Sequence, residues 1–146
     1  MRTAQELCQR FRTRGLKVTL QRRYIFQVLE GNGDHLSAEE IYGKVRTFAP
    51  DISLATVYNT LRELVDLGEV RELKLGEGKS RYDPNTTDHQ HLICVRCHNV
   101  VDVACDVKSL ELTPEERQGY HVLRTNVIFH GLCPACQGQQ SPPRPE

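Results

Sequence analysis

The sequence predicts an α+β chain in two parts: helices closed by a β-hairpin over residues 1–82, then a small α/β part over 83–137, with a tail at 138–146. Three observations predict it. Helix-capping residues recur ahead of apolar stripes throughout the first half. A Gly76-Glu77-Gly78 turn separates two short β-prone runs. Two Cys-x-x-Cys pairs, Cys94/Cys97 and Cys133/Cys136, frame the second half.

Residues 4–14 are helically periodic, with Leu7, Cys8 and Phe11 on one face and Gly15 at the stop position. Thr19 caps a second helix whose apolar stripe is Tyr24, Ile25, Val28 and Leu29, ending at Gly31. Ser37-Ala38-Glu39-Glu40 is a capping box that opens a third helix through Ile41, Tyr42 and Val45. Pro50 breaks the chain. Ser53 caps a fourth helix carrying Val57, Leu61, Leu64, Val65 and Leu67, stopped by Gly68. Residues 70–75 and 79–82 then form the hairpin. Helices followed by a hairpin, after a basic lead-in, are the layout of a winged helix-turn-helix.

The second half has a different texture. Residues 89–95 and 100–104 read as short strands joined through the first cysteine knuckle. Thr113-Pro114 starts a short helix, with Pro at the first helical position. Residues 122–129 read as a third strand leading into the second knuckle. This part is too poor in apolar residues to be self-sufficient, which predicts dimerisation. The Pro-rich tail is expected to be disordered.

The formal net charge is zero, but residues 1–82 carry 14 Lys/Arg against 11 Asp/Glu, and residues 83–146 carry 5 against 8. Seven of the basic residues fall within the first 23 positions, beside a single acid, Glu6. Such a cluster suits phosphate binding, although alone it equally describes a solvated face. No run approaches the ~18 apolar residues of a membrane span, and residues 1–6 lack a signal-peptide core, so the chain is expected to be cytoplasmic with no membrane partner. In a reducing compartment, Cys-x-x-Cys pairs favour metal or redox chemistry over structural disulfides.

The last helix of a helix-turn-helix meets base edges with its N-terminal residues. Here those are Ser53, Ala55, Thr56, Tyr58 and Asn59; Asn reads adenine, and hydroxyls bond phosphate. Arg14, Lys17, Thr19 and Arg22 are the candidate contacts from the basic lead-in. Helix pattern alone is equally consistent with an ordinary amphipathic helix.

The four knuckle cysteines offer the thiolates that a closed tetrahedral Zn²⁺ site needs. Asp83, His89, His91 and Asp102 form a second set of oxygen and nitrogen donors beside it. Two donor classes suggest two metals, one structural and one exchangeable. A reactive dithiol or simply buried cysteines are the alternatives.

Six segments in order carry a specific resemblance: Gly15-x-x-x-Thr19-x-Gln21-Arg22, His35-x-Ser37-Ala38-x-x-Ile41-Tyr42, Ser53-x-Ala55-Thr56-Val57-Tyr58-Asn59-x-Leu61, Arg81-Tyr82-Asp83, His89-x-His91-x-x-Cys94-x-x-Cys97 and Cys133-x-x-Cys136. Over about residues 4–137 the chain resembles the Fur superfamily of metal-dependent bacterial repressors, and within it the PerR peroxide sensors. The resemblance implies an N-terminal winged helix that binds an inverted-repeat DNA operator, a C-terminal dimerisation domain that makes a homodimer, and no enzymatic activity. It places structural zinc on Cys94, Cys97, Cys133 and Cys136. By position, PerR-type regulatory ligands fall on His35, Asp83, His89, His91 and Asp102, a set suited to Fe²⁺ or Mn²⁺ with an open position for peroxide. Fe²⁺-catalysed oxidation would fall on His35 or His89, while the Mn²⁺ form would be active but insensitive. Fur-type sensors typically place Glu at positions 83 and 102, and Arg is common at 59. A regulator of the Fur or Mn-uptake type, sensing metal level, is the alternative.

The chain departs from the family pattern at Leu20, usually Pro, and at His98, usually Gly. Gln90 and Thr125 stand where relatives carry ligands of an additional metal site, so no third site is expected. Cys8 and Cys105 match no ligand position and are expected to be small buried hydrophobes. His121 and His130 are unassigned. A hydrolytic or oxygen-activating enzyme would need a free general base beside the metal, and every acid placed there is already a ligand.

Overall fold

The computed structural model describes residues 2–75, 80–107, 110–123 and 125–138. The chain divides into two compact units, Met1–Thr87 and Asp88–Glu146. The first contains α1 (Ala4–Thr13), α2 (Leu20–Leu29), α3 (Ala38–Val45), α4 (Leu54–Asp66), β1 (Arg71–Lys74) and β2 (Ser80–Asp83). The second contains β3 (Gln90–Cys94), β4 (Val100–Val103), α5 (Pro114–Arg117), β5 (Ile128–Gly131) and α6 (Pro134–Gln137). This is the expected mixture of a helical, hairpin-closed unit and a small α/β unit carrying a cysteine cluster. The Gly76–Gly78 turn, Lys79 and tail residues 139–146 lie outside the described residues.

Each long helix starts where its cap predicts. Thr19, Ser37 and Ser53 accept from the backbone N–H three residues on, and Ser37 closes a full capping box with Glu40. Thr3 does the same with Glu6, a cap that the periodicity of α1 alone does not reveal. Satisfying these orphan donors is worth about 1 kcal/mol per helix. At the other end of α4, Gly68 takes φ +71, and Glu69 N–H reaches back to Leu64 C=O at 2.9 Å. That is the left-handed stop expected of glycine.

The core of the first unit is where the helical stripes meet: Leu7 and Phe11 of α1, Ile25, Phe26 and Leu29 of α2, Ile41 and Val45 of α3, Val57, Leu61 and Leu64 of α4, all buried. Phe11 and Phe26 pack edge to face with centroids 4.8 Å apart. Such a pair adds about 1 kcal/mol to the burial of the two rings. The α2 stripe therefore differs from its expected composition. Phe26 is fully buried, while Tyr24 and Val28 are only half-buried. The α1 ring opposite selects Phe26, and a single helix's pattern cannot report that partner. Buried Glu69 pins the start of the chain, pairing with Arg2 at 2.9 Å and Arg10 at 3.1 Å.

In the second unit β3 is central, antiparallel to β4 and parallel to β5. The third strand is shorter and later than its apolar run suggests. It starts at Ile128, opposite His91, while Val122 and Leu123 are exposed and outside any ladder. Cys8 is buried as expected; Cys105, two residues past the end of β4, is exposed. Among the described residues, no helix is long and apolar enough to cross a membrane.

A Cβ at position 68 would meet nothing within 4 Å, so its cost is conformational alone. Gly68→Ala should lower unfolding stability by about 1 kcal/mol, read by calorimetry or denaturant titration of the metal-loaded protein.

Candidate metal centres and nucleic-acid face

The cysteine centre is built by two knuckles of the second unit. In the first, Cys94 ends β3, its carbonyl accepts from His98 N–H at 2.9 Å, and its N–H donates to Asn99 C=O at 2.9 Å. His98 closes that turn with φ 59, a left-handed conformation. In the second, Cys133 precedes α6, and its carbonyl accepts from Cys136 and Gln137 N–H. The knuckles meet directly: Cys133 N–H points at Cys94 Sγ, 3.4 Å away, and Arg96 donates to Cys136 C=O at 2.6 Å.

The four sulfurs lie within 4.8 Å of one another, and Cys97 Sγ is 3.7 Å from Cys133 Sγ. A disulfide needs about 2 Å. A tetrahedron with Zn–S near 2.3 Å has an edge of about 3.8 Å, so the donors fit a thiophilic divalent ion. Burial pushes the Cys94 thiol up, but N–H groups of Cys133, Cys97 and Arg96 outweigh it and bring the thiol down to about 6. Cys136 is pushed up to about 12, first by its hydrogen bond with Cys133 and then by burial. The geometry thus favours the thiolate at Cys94 and disfavours it at Cys136 until a cation offsets the crowded charge.

The nitrogen and oxygen donors come in two groups. In the first unit, Tyr82 N–H donates to Leu36 C=O at 2.9 Å in an isolated antiparallel bridge. That register sets His35 opposite Asp83, with Nε2 3.8 Å from Oδ1 and both side chains buried. His35 is held at φ 48, a conformation that costs a non-glycine residue about 1 kcal/mol or more. Asp83 also accepts from Asn85 N–H at 2.7 Å.

In the second unit, strand alternation does the assembly. His89 and His91 are two residues apart and share a face, and β4 places Asp102 directly opposite His91. The two Nε2 atoms are 2.9 Å apart, and Asp102 Oδ1 is 3.2 Å from His89 Nε2 and 3.7 Å from His91 Nε2. Two imidazole nitrogens and a carboxylate oxygen converging on one point form a partial cation cradle of borderline-to-hard character.

The candidate nucleic-acid face lies on the first unit. Ala55, Tyr58, Asn59 and Arg62 are exposed along one stripe of α4, at i, i+3, i+4 and i+7 spacing. Arg62 belongs to this stripe and was absent from the sequence-based contacts; its spacing from Asn59 is the signal for it. Ser53 and Thr56 are occupied locally, since the Ser53 hydroxyl caps Thr56 N–H and bonds the Thr56 hydroxyl at 2.8 Å. Tyr58 donates its hydroxyl proton to Glu39 of α3 at 2.7 Å. That bond holds the Glu39 carboxyl below the usual range and raises the phenol.

The basic lead-in separates into two kinds of residue. Arg14 and Lys17 are exposed, and Thr19 is the α2 cap. Arg22 is turned inward, 2.7 Å from Glu63, donating to Lys17 C=O at 2.6 Å, with its guanidinium 5.6 Å from the Phe11 ring centroid. It braces α4 against α2.

Known proteins resemble this chain in sequence and in fold. The profile of the Ferric uptake regulator family matches residues 13–130. The chain is 37% identical over 140 residues to the ferric uptake regulation protein of Synechococcus elongatus, covering 92% of this chain and 95% of the relative. It is 35% identical over 127 residues to the peroxide-responsive repressor PerR of Staphylococcus aureus, 86% of each chain. Among solved structures, the Helicobacter pylori ferric uptake regulator, described as having three functional metal-binding sites, superimposes with TM-score 0.76 at 26% identity, covering 96% of this chain and 97% of that one.

The sulfur centre predicts one Zn²⁺ per chain by elemental analysis, retained through dialysis against a mild chelator and lost in Cys97→Ser. The lead-in predicts a contrast between two cations. Lys17→Ala should flatten the dependence of log K for DNA on log salt by about one ion, whereas Arg22→Met should leave that slope unchanged. Arg22→Met should instead lower stability by about 1 kcal/mol or more, read as a fall in Tm.

Proposed function

This chain belongs to the ferric uptake regulator family, and we propose that within it the protein is a peroxide-responsive repressor. Family membership makes it a metal-responsive, DNA-binding transcriptional regulator and not an enzyme. The observation that carries the finer reading is the make-up of the second donor set. Beside the four-cysteine cluster stand His35, His89 and His91 with two aspartates, Asp83 and Asp102, at positions where Fur-type sensors typically carry glutamate.

In this reading Cys94, Cys97, Cys133 and Cys136 hold structural Zn²⁺. His35 and Asp83 of the first unit join His89, His91 and Asp102 of the second around one Fe²⁺ or Mn²⁺. Ligands drawn from both units would tie the units together, and a homodimer so fixed would present its two α4 helices to the half-sites of an inverted repeat. Exposed Ala55, Tyr58 and Asn59 would face the bases, with Arg14 and Lys17 on phosphates; Ser53, Thr56, Thr19 and Arg22 would hold the helix starts and braces that aim them. A row of exposed apolar side chains supports dimerisation. Val101, Leu92 and Phe129 are cross-strand neighbours, on the sheet face opposite His91 and Asp102.

When bound, Fe²⁺ would mediate the two-electron reduction of H₂O₂ by a ligand imidazole, chemistry that Mn²⁺ would not supply. The imidazole of His35 or His89 receives one oxygen atom at a ring C–H, and the other peroxide oxygen leaves as water. An oxidised ring is a poorer ligand, so the tie between units is lost and DNA is released. The similarity to the Synechococcus ferric uptake regulation protein favours a second reading, in which the same site responds to metal level alone.

Operator binding by the zinc-containing protein loaded with Fe²⁺ or Mn²⁺, before and after brief dilute H₂O₂, separates the two. Peroxide sensing predicts that only the Fe²⁺ form releases DNA, with one added oxygen on a His35 or His89 peptide. If both forms stay bound and unoxidised while chelation releases DNA, the protein senses metal level.

A further inference from the structure

We propose that the first turn of α3 is a positioning element with two adjacent arms, Glu40 with Arg81 setting His35, and Glu39 setting Tyr58. The inference rests on the reading of His35 as a metal ligand. His35 lies two residues before Ser37, the α3 cap. Glu40 Oε2 accepts from Ser37 N–H at 2.7 Å and also pairs with the Arg81 guanidinium. The same Arg81 Nη1 donates to the His35 carbonyl at 3.4 Å. Arg81 sits on β2 two residues before Asp83, beside the Leu36–Tyr82 bridge. The strand bearing Asp83 and the segment bearing His35 are therefore joined to each other and anchored on one carboxylate of α3.

The neighbouring residue faces the other way. Successive residues on a helix point about 100° apart, so Glu39 reaches α4 while Glu40 reaches β2. Glu39 accepts the Tyr58 hydroxyl proton at 2.7 Å, in the middle of the exposed stripe of α4. With its proton committed, that hydroxyl offers only lone pairs outward, which suits the amino group of adenine or cytosine. One helical turn thus carries the support of a metal ligand and the support of a reading side chain. Displacing His35 strains the same turn that aims Tyr58.

The test uses the full-length, zinc-loaded protein, with Mn²⁺ as the metal probe and operator DNA as the second readout. Arg81→Met should weaken Mn²⁺ binding about tenfold or more, as loss of a ligand's outer support does. Saturating Mn²⁺ should restore operator binding, and Arg81→Lys should recover part of the metal affinity. Glu40→Gln, which keeps an acceptor for Ser37 and so the helix cap, should reproduce the Arg81→Met effect. Glu39→Ala and Tyr58→Phe should each weaken operator binding about threefold or more, and the double variant no further than the worse single. Parental Mn²⁺ affinity in both Arg81→Met and Glu40→Gln, or additive losses at Glu39 and Tyr58, would overturn the inference. His35→Ala is the control: if it binds Mn²⁺ as tightly as the parent, the underlying ligand assignment fails; if it is impaired while Arg81→Met is not, only the positioning role fails.

Discussion

Convergence of four sulfurs is the constraint on which the second unit depends. Among the described residues, its buried apolar side chains are Ile93, Cys94, Val100 and Cys136, two of them members of the cluster itself. A four-helix core of the kind in the first unit, with Phe11, Phe26 and their aliphatic neighbours, has no counterpart here. Small units with thin cores need a covalent or metal staple, and a bound divalent ion supplies folding free energy because the unfolded chain holds no such site. A staple on the four sulfurs would join the end of β3 to the start of α6, and β3 is also the strand that carries His91. Closing the knuckles therefore fixes the strand on which the nitrogen and oxygen donors are arranged.

Those donors show how little machinery a metal cradle requires once a ladder exists. Strand alternation places His89 and His91 on one face, antiparallel register sets Asp102 opposite, and a single bridge at Leu36–Tyr82 aligns His35 with Asp83. The opposite face of the same sheet carries the apolar row of Leu92, Val101 and Phe129. The proposed metal site and the proposed self-association thus follow from one alternating pattern, read on its two sides.

Local chemistry was legible in the chain, and long-range partnership was not. Thr19, Ser37, Ser53 and Thr113 announced helix starts because a cap bonds within three residues of itself. The cysteine pairs and the His-x-His alternation were legible for the same reason. Phe26 was missed because its partner, Phe11, lies on another helix. Arg22 looked like a phosphate contact, yet Glu63, 41 positions away, takes its guanidinium. The run at residues 122–127 has strand-like composition, but its described residues have no ladder neighbour, and pairing rather than propensity decides a strand.

In the proposed function, one ion is shared by ligands from both units. Pulsed electron paramagnetic resonance of the zinc-containing protein loaded with Mn²⁺, with histidines labelled in ¹⁵N, counts the imidazoles bound to the metal. The account predicts three in the parent and two in His35→Ala. Two in both would contradict it, since the ion would then be held by the second unit alone.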